Sequence, residues 1–214
     1  MNALNKFLTL ILVMCIAVAG AEAQNRVKNK DFKTKLKEAK KEAKSYEKDG
    51  WYVAPGDLPL EKQLEKAYGK ALEEDENGYP KFTIAAGNAL AGTQSAAKMQ
   101  ATELAKLEVA NAMSSQLAAT IETQVANNQL NSEEAATLQK TVAAAKNVVA
   151  QRMGRVITLV EMYKKNAKTK NIECNVRIGY SAELARQMQI DAMKEQLADE
   201  TAIAADKLDK LLDM

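Results

Sequence analysis

Apolar residues recur at steps of three and four along most of the chain, which places them on one face of an α-helix. These runs predict six helices, over residues 25–48, 58–76, 93–127, 131–153, 181–198 and, more weakly, 201–214. Asn131 and Glu134 have the spacing of a capping box at the start of the fourth helix. Because only a short polar break separates the third and fourth helices, we expect them to form a helical hairpin.

Other stretches carry the patterns of β-strands. Residues 172–180 alternate between apolar and polar side chains, and residues 155–163 are continuously apolar and rich in β-branched side chains. Strands are also predicted in KFTIAAGNALAG, at 81–92, and at 50–54. The order of these elements predicts an α+β fold, with a small, mainly antiparallel sheet, long alanine-rich helices packed on one face, and an N-terminal basic helix.

Cys174 belongs to the alternating run. It lies on the side of the predicted strand that also carries Ile172, Val176, Ile178 and Tyr180. A cysteine on a core face behaves as a small hydrophobic residue, whereas a reactive thiol needs an accessible and positively charged setting. We therefore expect Cys174 to be buried and unreactive.

Composition and spacing exclude several kinds of site. The chain has no histidine, so Ser-His and Cys-His pairs and histidine-based metal sites cannot form. The acidic run 73–76 lacks the alternating spacing of a calcium loop. Gly87 and Gly92 resemble a phosphate-binding loop, but Thr93 replaces its lysine, so the glycines are expected to turn a strand into a helix capped by Thr93 or Ser95. We predict no catalytic residue, cofactor or metal.

Residues 1–23 have the features of a secretory signal peptide, namely a basic start, an apolar run and small residues before the cleavage point after Ala23. Lipid attachment at Cys15 is disfavoured, because Met14 occupies the position that requires a small residue. No second stretch can span a bilayer. We expect an exported protein of the periplasm or cell envelope, divided into a basic helical segment (24–49), an α+β domain (50–199) and a helical tail (200–214).

The segment 26–48 is strongly basic. It holds ten basic and four acidic residues in a chain of net charge +2, so the remainder is net acidic by four. We interpret part of it as an interaction surface, formed by Lys33, Lys37, Lys40, Lys41 and Lys44. This helix can dock on its own acidic body, on a neighbour or on an anionic envelope surface, or remain solvated; nucleic acid is a poor candidate. Its apolar stripe is thin, so deletion of 25–48 is expected to leave the domain folded.

The pattern resembles a known family. Strand KFTIAAGNALAG, the helix AAKMQATELAKLEVANAMSSQLAATIETQV, the hairpin VITLVEMY and ECNVRIGYS, and the following SAELARQM are similar to the twenty-kilodalton envelope lipoprotein family (LPP-twenty), whose fold is shared with the N-terminal domain of a flagellar assembly protein. The resemblance covers about residues 82–198. It implies a bacterial cell-envelope protein with an α+β domain and no catalytic residues. The chain departs from the family in lacking a convincing lipid-attachment motif.

Two classes of function remain. The favoured one is a non-enzymatic envelope protein that binds other proteins or an envelope surface, because a chain without histidine, a metal cluster or a phosphate loop offers interaction surfaces. The alternative is a periplasmic holdase-like chaperone, since small envelope chaperones share the basic surface and the long alanine-rich helices. A hydrolase with paired carboxylates ranks third.

Overall fold

The computed structural model describes residues 32–127 and 130–198. The predicted signal peptide, with Cys15, and the predicted tail 200–214 lie outside these residues. The described elements, in chain order, are α1 (32–48), α2 (Leu60–Ala71), β1 (Phe82–Ala91), α3 (Gln94–Ala126), α4 (Ser132–Arg152), β2 (Ile157–Lys165), β3 (Ile172–Ser181) and α5 (Ala182–Ala198). The fold is α+β, as predicted.

The sheet has three antiparallel strands in the order β1-β3-β2. Strand β3 pairs along its whole length with β1, and with β2 except for an irregularity between Thr158 and Val160. The turn between β2 and β3 is built on Asn166, whose side-chain oxygen accepts hydrogen bonds from the backbone of Lys168 and Thr169. Lys170 completes this turn with a φ of 60°. The hairpin predicted from the alternating run is confirmed.

The long helices lie on one face of the sheet, where α3 contacts both β1 and β3. Ala97, Ala101 and Ala105 face the sheet and are fully buried. Met99, which helical spacing also predicts to lie on the apolar side of α3, is instead 64% exposed. Alanines occupy the buried side of α3 because their small side chains let the helix backbone approach the strand.

Gly87 is the point of closest approach. A Cβ atom at this residue would lie 2.0 Å from the carbonyl oxygen of Ala101 and 2.6 Å from the amide nitrogen of Ala105. The prediction that Gly87 forms a turn between strand and helix is wrong, because Gly87 lies inside β1. Its role is to leave room for α3.

The helix caps follow the sequence closely. The Thr93 hydroxyl accepts a hydrogen bond from the Ala96 amide, and Asn131 forms the predicted capping box with Glu134. Helices α4 and α5 pack beside α3 and complete an apolar core on this side of the sheet.

The opposite face of the sheet carries a second layer of helices, which the sequence pattern did not predict. Helices α1 and α2 pack there and form a smaller apolar cluster with residues from β2. It consists of Ala39, Ala43, Leu60, Leu64, Ala67, Leu159, Val160 and Met162.

Two predicted boundaries are wrong. Helix α2 ends at Ala71 instead of residue 76, and the chain then folds back so that Glu74 pairs with Pro80 across a turn at Gly78, whose φ is 85°. The predicted strand 50–54 is reduced to a single bridge between Tyr52 and Tyr163. Apolar periodicity predicts neither the turn at Gly78 nor the pairing of Tyr52 with the distant Tyr163.

Candidate interaction surface

Helix α1 has one docked face and one exposed face. Ala39 and Ala43 are buried in the smaller apolar cluster, and Tyr46 is packed against it. The structure thus docks the alanine face of α1 on the body of the same chain and leaves the lysine face exposed. Helix α1 therefore belongs to the folded domain, and we now expect its deletion to expose apolar surface.

A polar network fixes the orientation of α1. The Glu42 carboxylate accepts hydrogen bonds from the Tyr68 hydroxyl of α2, at 2.6 Å, and from the Arg177 guanidinium of β3. Arg177 also donates to the Tyr46 hydroxyl at 2.9 Å. Three elements thus meet at one carboxylate, which ties α1 to both the sheet and α2.

The network also shifts the acidity of its members. Burial by itself would raise the pKa of the Glu42 carboxyl, but the hydrogen bonds from Tyr68 and Arg177 and the guanidinium charge outweigh it and hold the pKa below its ordinary value of 4.5. The hydrogen bond to Glu42, together with burial, raises the pKa of Tyr68 to about 12. Glu42 is therefore ionised and Tyr68 is protonated at neutral pH.

The exposed face of α1 is the predicted lysine surface, formed by Lys33, Lys37, Lys40, Lys41 and Lys44, all of which are exposed. At 3.6 residues per turn these positions fall within an arc of about 100°, opposite the docked alanines, and Lys33 and Lys44 are about 17 Å apart along the axis. Only Lys40 among them has a described acidic neighbour, Glu61, at 3.9 Å. The structure thus brings all five predicted residues together on one solvent-facing surface.

Chemically, this surface offers charge and hydrogen-bond donors. Each ammonium group is a compact, mobile cation with three donors, which suits phosphates and carboxylates. Since the apolar side of α1 is already used for docking, the surface has no apolar stripe of its own with which to enter a membrane. It can recognise anionic groups at a distance, and salt weakens such recognition.

A groove of about 840 Å³ lies elsewhere, between the turn that follows α2 and the helices α3 and α5. Its lining mixes apolar side chains such as Phe82 and Met113 with charged ones such as Asp75, Lys81 and Glu183. Sequence patterns do not predict this groove, because its walls come from three separate parts of the chain. None of its lining residues is a cysteine or a histidine, so it holds neither a thiol nor an imidazole for nucleophilic chemistry.

Cys174 is fully buried, as predicted. Burial, reinforced by the negative charge of Glu161, raises the pKa of its thiol to about 11. The Tyr163 hydroxyl donates to Glu161, which also pairs with Lys98 at 2.7 Å. Because a protonated, buried thiol is neither accessible nor nucleophilic, the arrangement supports the structural role of Cys174.

Within the ranges 32–127 and 130–198, no three histidine, cysteine, aspartate or glutamate side chains are placed to hold a metal ion together. No helix in these ranges is both long and apolar enough to cross a membrane. No protein-family model, no curated protein and no solved structure matches the chain. The similarity to the LPP-twenty family therefore stays a prediction.

Proposed function

We propose that this protein is a non-enzymatic component of the bacterial cell envelope that binds an anionic partner, either a protein or an envelope surface, through the lysine surface of α1. The observation that carries the proposal is the position of Lys33, Lys37, Lys40, Lys41 and Lys44 on the one side of α1 that its docking leaves free. A helix held rigidly by its other face presents these charges as a fixed array, which reduces the ordering cost of binding.

Export and envelope location are part of the same proposal. They rest on the signal-peptide features of residues 1–23 and on the similarity to envelope lipoproteins. In an envelope setting, anionic lipids and acidic proteins are the abundant partners, and each lysine near an anionic membrane contributes about 1 kcal/mol. The lysine surface is large enough for binding that is firm at low salt and reversible at high salt.

The test is cosedimentation with vesicles containing anionic phospholipid, using vesicles of zwitterionic lipid alone as the comparison. Replacing Lys33, Lys37, Lys41 and Lys44 by glutamine should lower the partition coefficient by about 100-fold or more at low salt. Binding of the unchanged protein should weaken as the screening length falls from about 10 Å at 0.1 M salt to about 3 Å at 1 M.

The matched control replaces four other exposed lysines by glutamine, so that the net charge falls by the same amount; they are Lys66, Lys140, Lys165 and Lys168. A local array predicts that this control keeps most of its binding, whereas a nonspecific charge effect predicts equal losses in the two variants. Failure of the unchanged protein both to bind anionic vesicles and to pair with acidic envelope proteins in crosslinking would refute the proposed function.

A further inference from the structure

The two edges of the sheet are treated differently by the rest of the chain. The outer edge of β2 is covered, because Tyr52 and Tyr163 exchange two backbone hydrogen bonds of 2.8 Å there. The Gln63 side-chain oxygen extends this cover by accepting a hydrogen bond of 2.6 Å from the Glu161 amide. Strand pairing by another molecule at this edge is therefore obstructed.

Among the described residues, no strand pairs with the outer edge of β1. The Ala182 amide donates to the Lys81 carbonyl, so alternation along an antiparallel strand directs the N–H and C=O groups of Ile84, Ala86, Asn88 and Leu90 away from β3. Within the part of the chain that the structure describes, these outward backbone groups have no hydrogen-bond partner.

The composition of this edge is unusual for an exposed strand. None of the ten residues of β1, FTIAAGNALA, is charged, and none is proline. Charges and prolines are the usual means by which proteins keep edge strands from pairing. Strand β1 is thus a regular template about 33 Å long for the backbone of an added strand.

Each flank of the edge carries an exposed leucine. On α3, Lys98 and Leu104 lie on opposite sides of the stripe that packs on β1, and Lys98 reaches toward β2 to pair with Glu161. Leu104 therefore lies on the side of the free edge, where it is 44% exposed. Leu90 is 49% exposed on the other face of the sheet.

We infer that the β1 edge binds an uncharged, extended segment of a partner protein by strand addition, with apolar side chains at alternate positions that contact the Leu104 flank. The uncharged strand favours a neutral segment, because a charged side chain packed on Leu104 would lose hydration in an apolar contact. The outward backbone groups of β1 supply the affinity, and the contacts of alternate side chains of the added segment supply the selectivity.

A second copy of this chain fits less well than a single strand. At Gly87 the α3 backbone lies against β1. A copy paired antiparallel about this residue would have to pack its own α3 against this α3 on the same face, because neighbouring strands are only about 4.8 Å apart. A segment without a helix layer on that side is free of this constraint.

The test uses the protein purified after expression of the full chain and a fluorescent eight-residue peptide of alternating valine and threonine. N-methylation of the threonines leaves the peptide one hydrogen-bonding edge, which limits its self-association to pairs. Saturable binding by fluorescence anisotropy is expected, together with slower hydrogen exchange of the outward β1 amides. The same peptide N-methylated at every residue should not bind.

Two substitutions at one exposed position make the matched pair. Ala86→Pro removes an outward amide donor and should weaken binding at least tenfold, whereas Ala86→Val keeps the donor and should stay within about twofold. Equal binding by the fully methylated peptide would overturn the inference without any variant. So would a concentration-dependent dimer of the protein that excludes the peptide. Loss of vesicle binding leaves this inference intact, since the lysine surface and the β1 edge are separate.

Discussion

The two faces of the sheet are covered by helices in different ways. On the α3 face, Ala101 and Ala105 pack directly over Gly87, and the contact extends into a large apolar core. On the α1 face, Ala39 and Ala43 belong to a much smaller cluster, and the helix is also tied by the Glu42–Arg177 ion pair. One helix is fixed by close backbone approach, and the other by a few alanines and a polar network.

This difference shows two physical routes to the same result. Close packing of small residues gains many dispersion contacts, and the interface has no space for even one added methyl group at Gly87. A thin apolar stripe gains little from burial alone, so directional hydrogen bonds must specify how the helix lies. The first route makes the interface intolerant of added volume, and the second makes it sensitive to loss of one polar partner.

The largest expected effect is that of Gly87→Ala. The added Cβ would overlap the α3 backbone, which cannot move aside as a flexible side chain can, so we expect a loss of about 3 kcal/mol or more in the free energy of unfolding. Urea denaturation followed by circular dichroism measures it. The control, Gly92→Ala, has no atom within 4 Å of the new Cβ and should be close to neutral. Equal stability of the two variants would show that α3 shifts freely on β1.

On the other face, Arg177→Ala should destabilise the protein by about 2 kcal/mol, because it leaves the part-buried Glu42 carboxylate without its charged partner. Its control is Arg152→Ala, which removes a similar ion pair to Glu195 from the surface, where the two side chains are 49% and 56% exposed. We expect no measurable change there. If both substitutions cost the same, the network does not hold α1.

Cys174→Ala should cost about 1 to 2 kcal/mol through lost packing. The native thiol should not react with a labelling reagent at neutral pH, since it is buried and its pKa is about 11. Labelling with and without denaturant gives the comparison. Rapid labelling of the native protein would refute the structural role.

The smallest effect concerns pH. The folded-state pKa of Glu42 lies below the ordinary 4.5, so its ionised form contributes stability that is fully present above that value and is lost as pH falls through the folded pKa. The stability difference between the unchanged protein and Glu42→Gln should therefore be constant near neutral pH and shrink in acid below pH 4.5. Urea denaturation at three pH values tests this, and a difference that grows in acid would contradict the sign of the shift.

Much of the interaction surface could be predicted from the sequence. The five surface lysines follow from helical spacing alone, because a charged side chain on a helix needs only a solvent-facing position. The Glu42–Arg177 pair was missed, although Glu42 stands on the apolar side of an otherwise lysine-rich helix. That misplaced carboxylate was the available signal, and its partner lies 135 residues further along the chain.

The sequence by itself determined the elements whose signals are local. The two capping residues Thr93 and Asn131 satisfied amides within their own first turn, and the alternation around Cys174 placed the thiol on the core face of β3. Such features depend on neighbours three or four positions away or on the pleat of one strand, so no knowledge of distant contacts is needed.

Tertiary structure alone decided which surfaces meet. Apolar periodicity predicts that a face is buried but not which element covers it. It could not show that α1 covers the second face of the sheet or that Gly87 makes room for α3. Nor could it show that Tyr52 pairs with one sheet edge while no described strand pairs with the other. These contacts join residues far apart in the chain. Their free energy depends on shape and hydrogen-bond geometry that exist only once the layers are assembled.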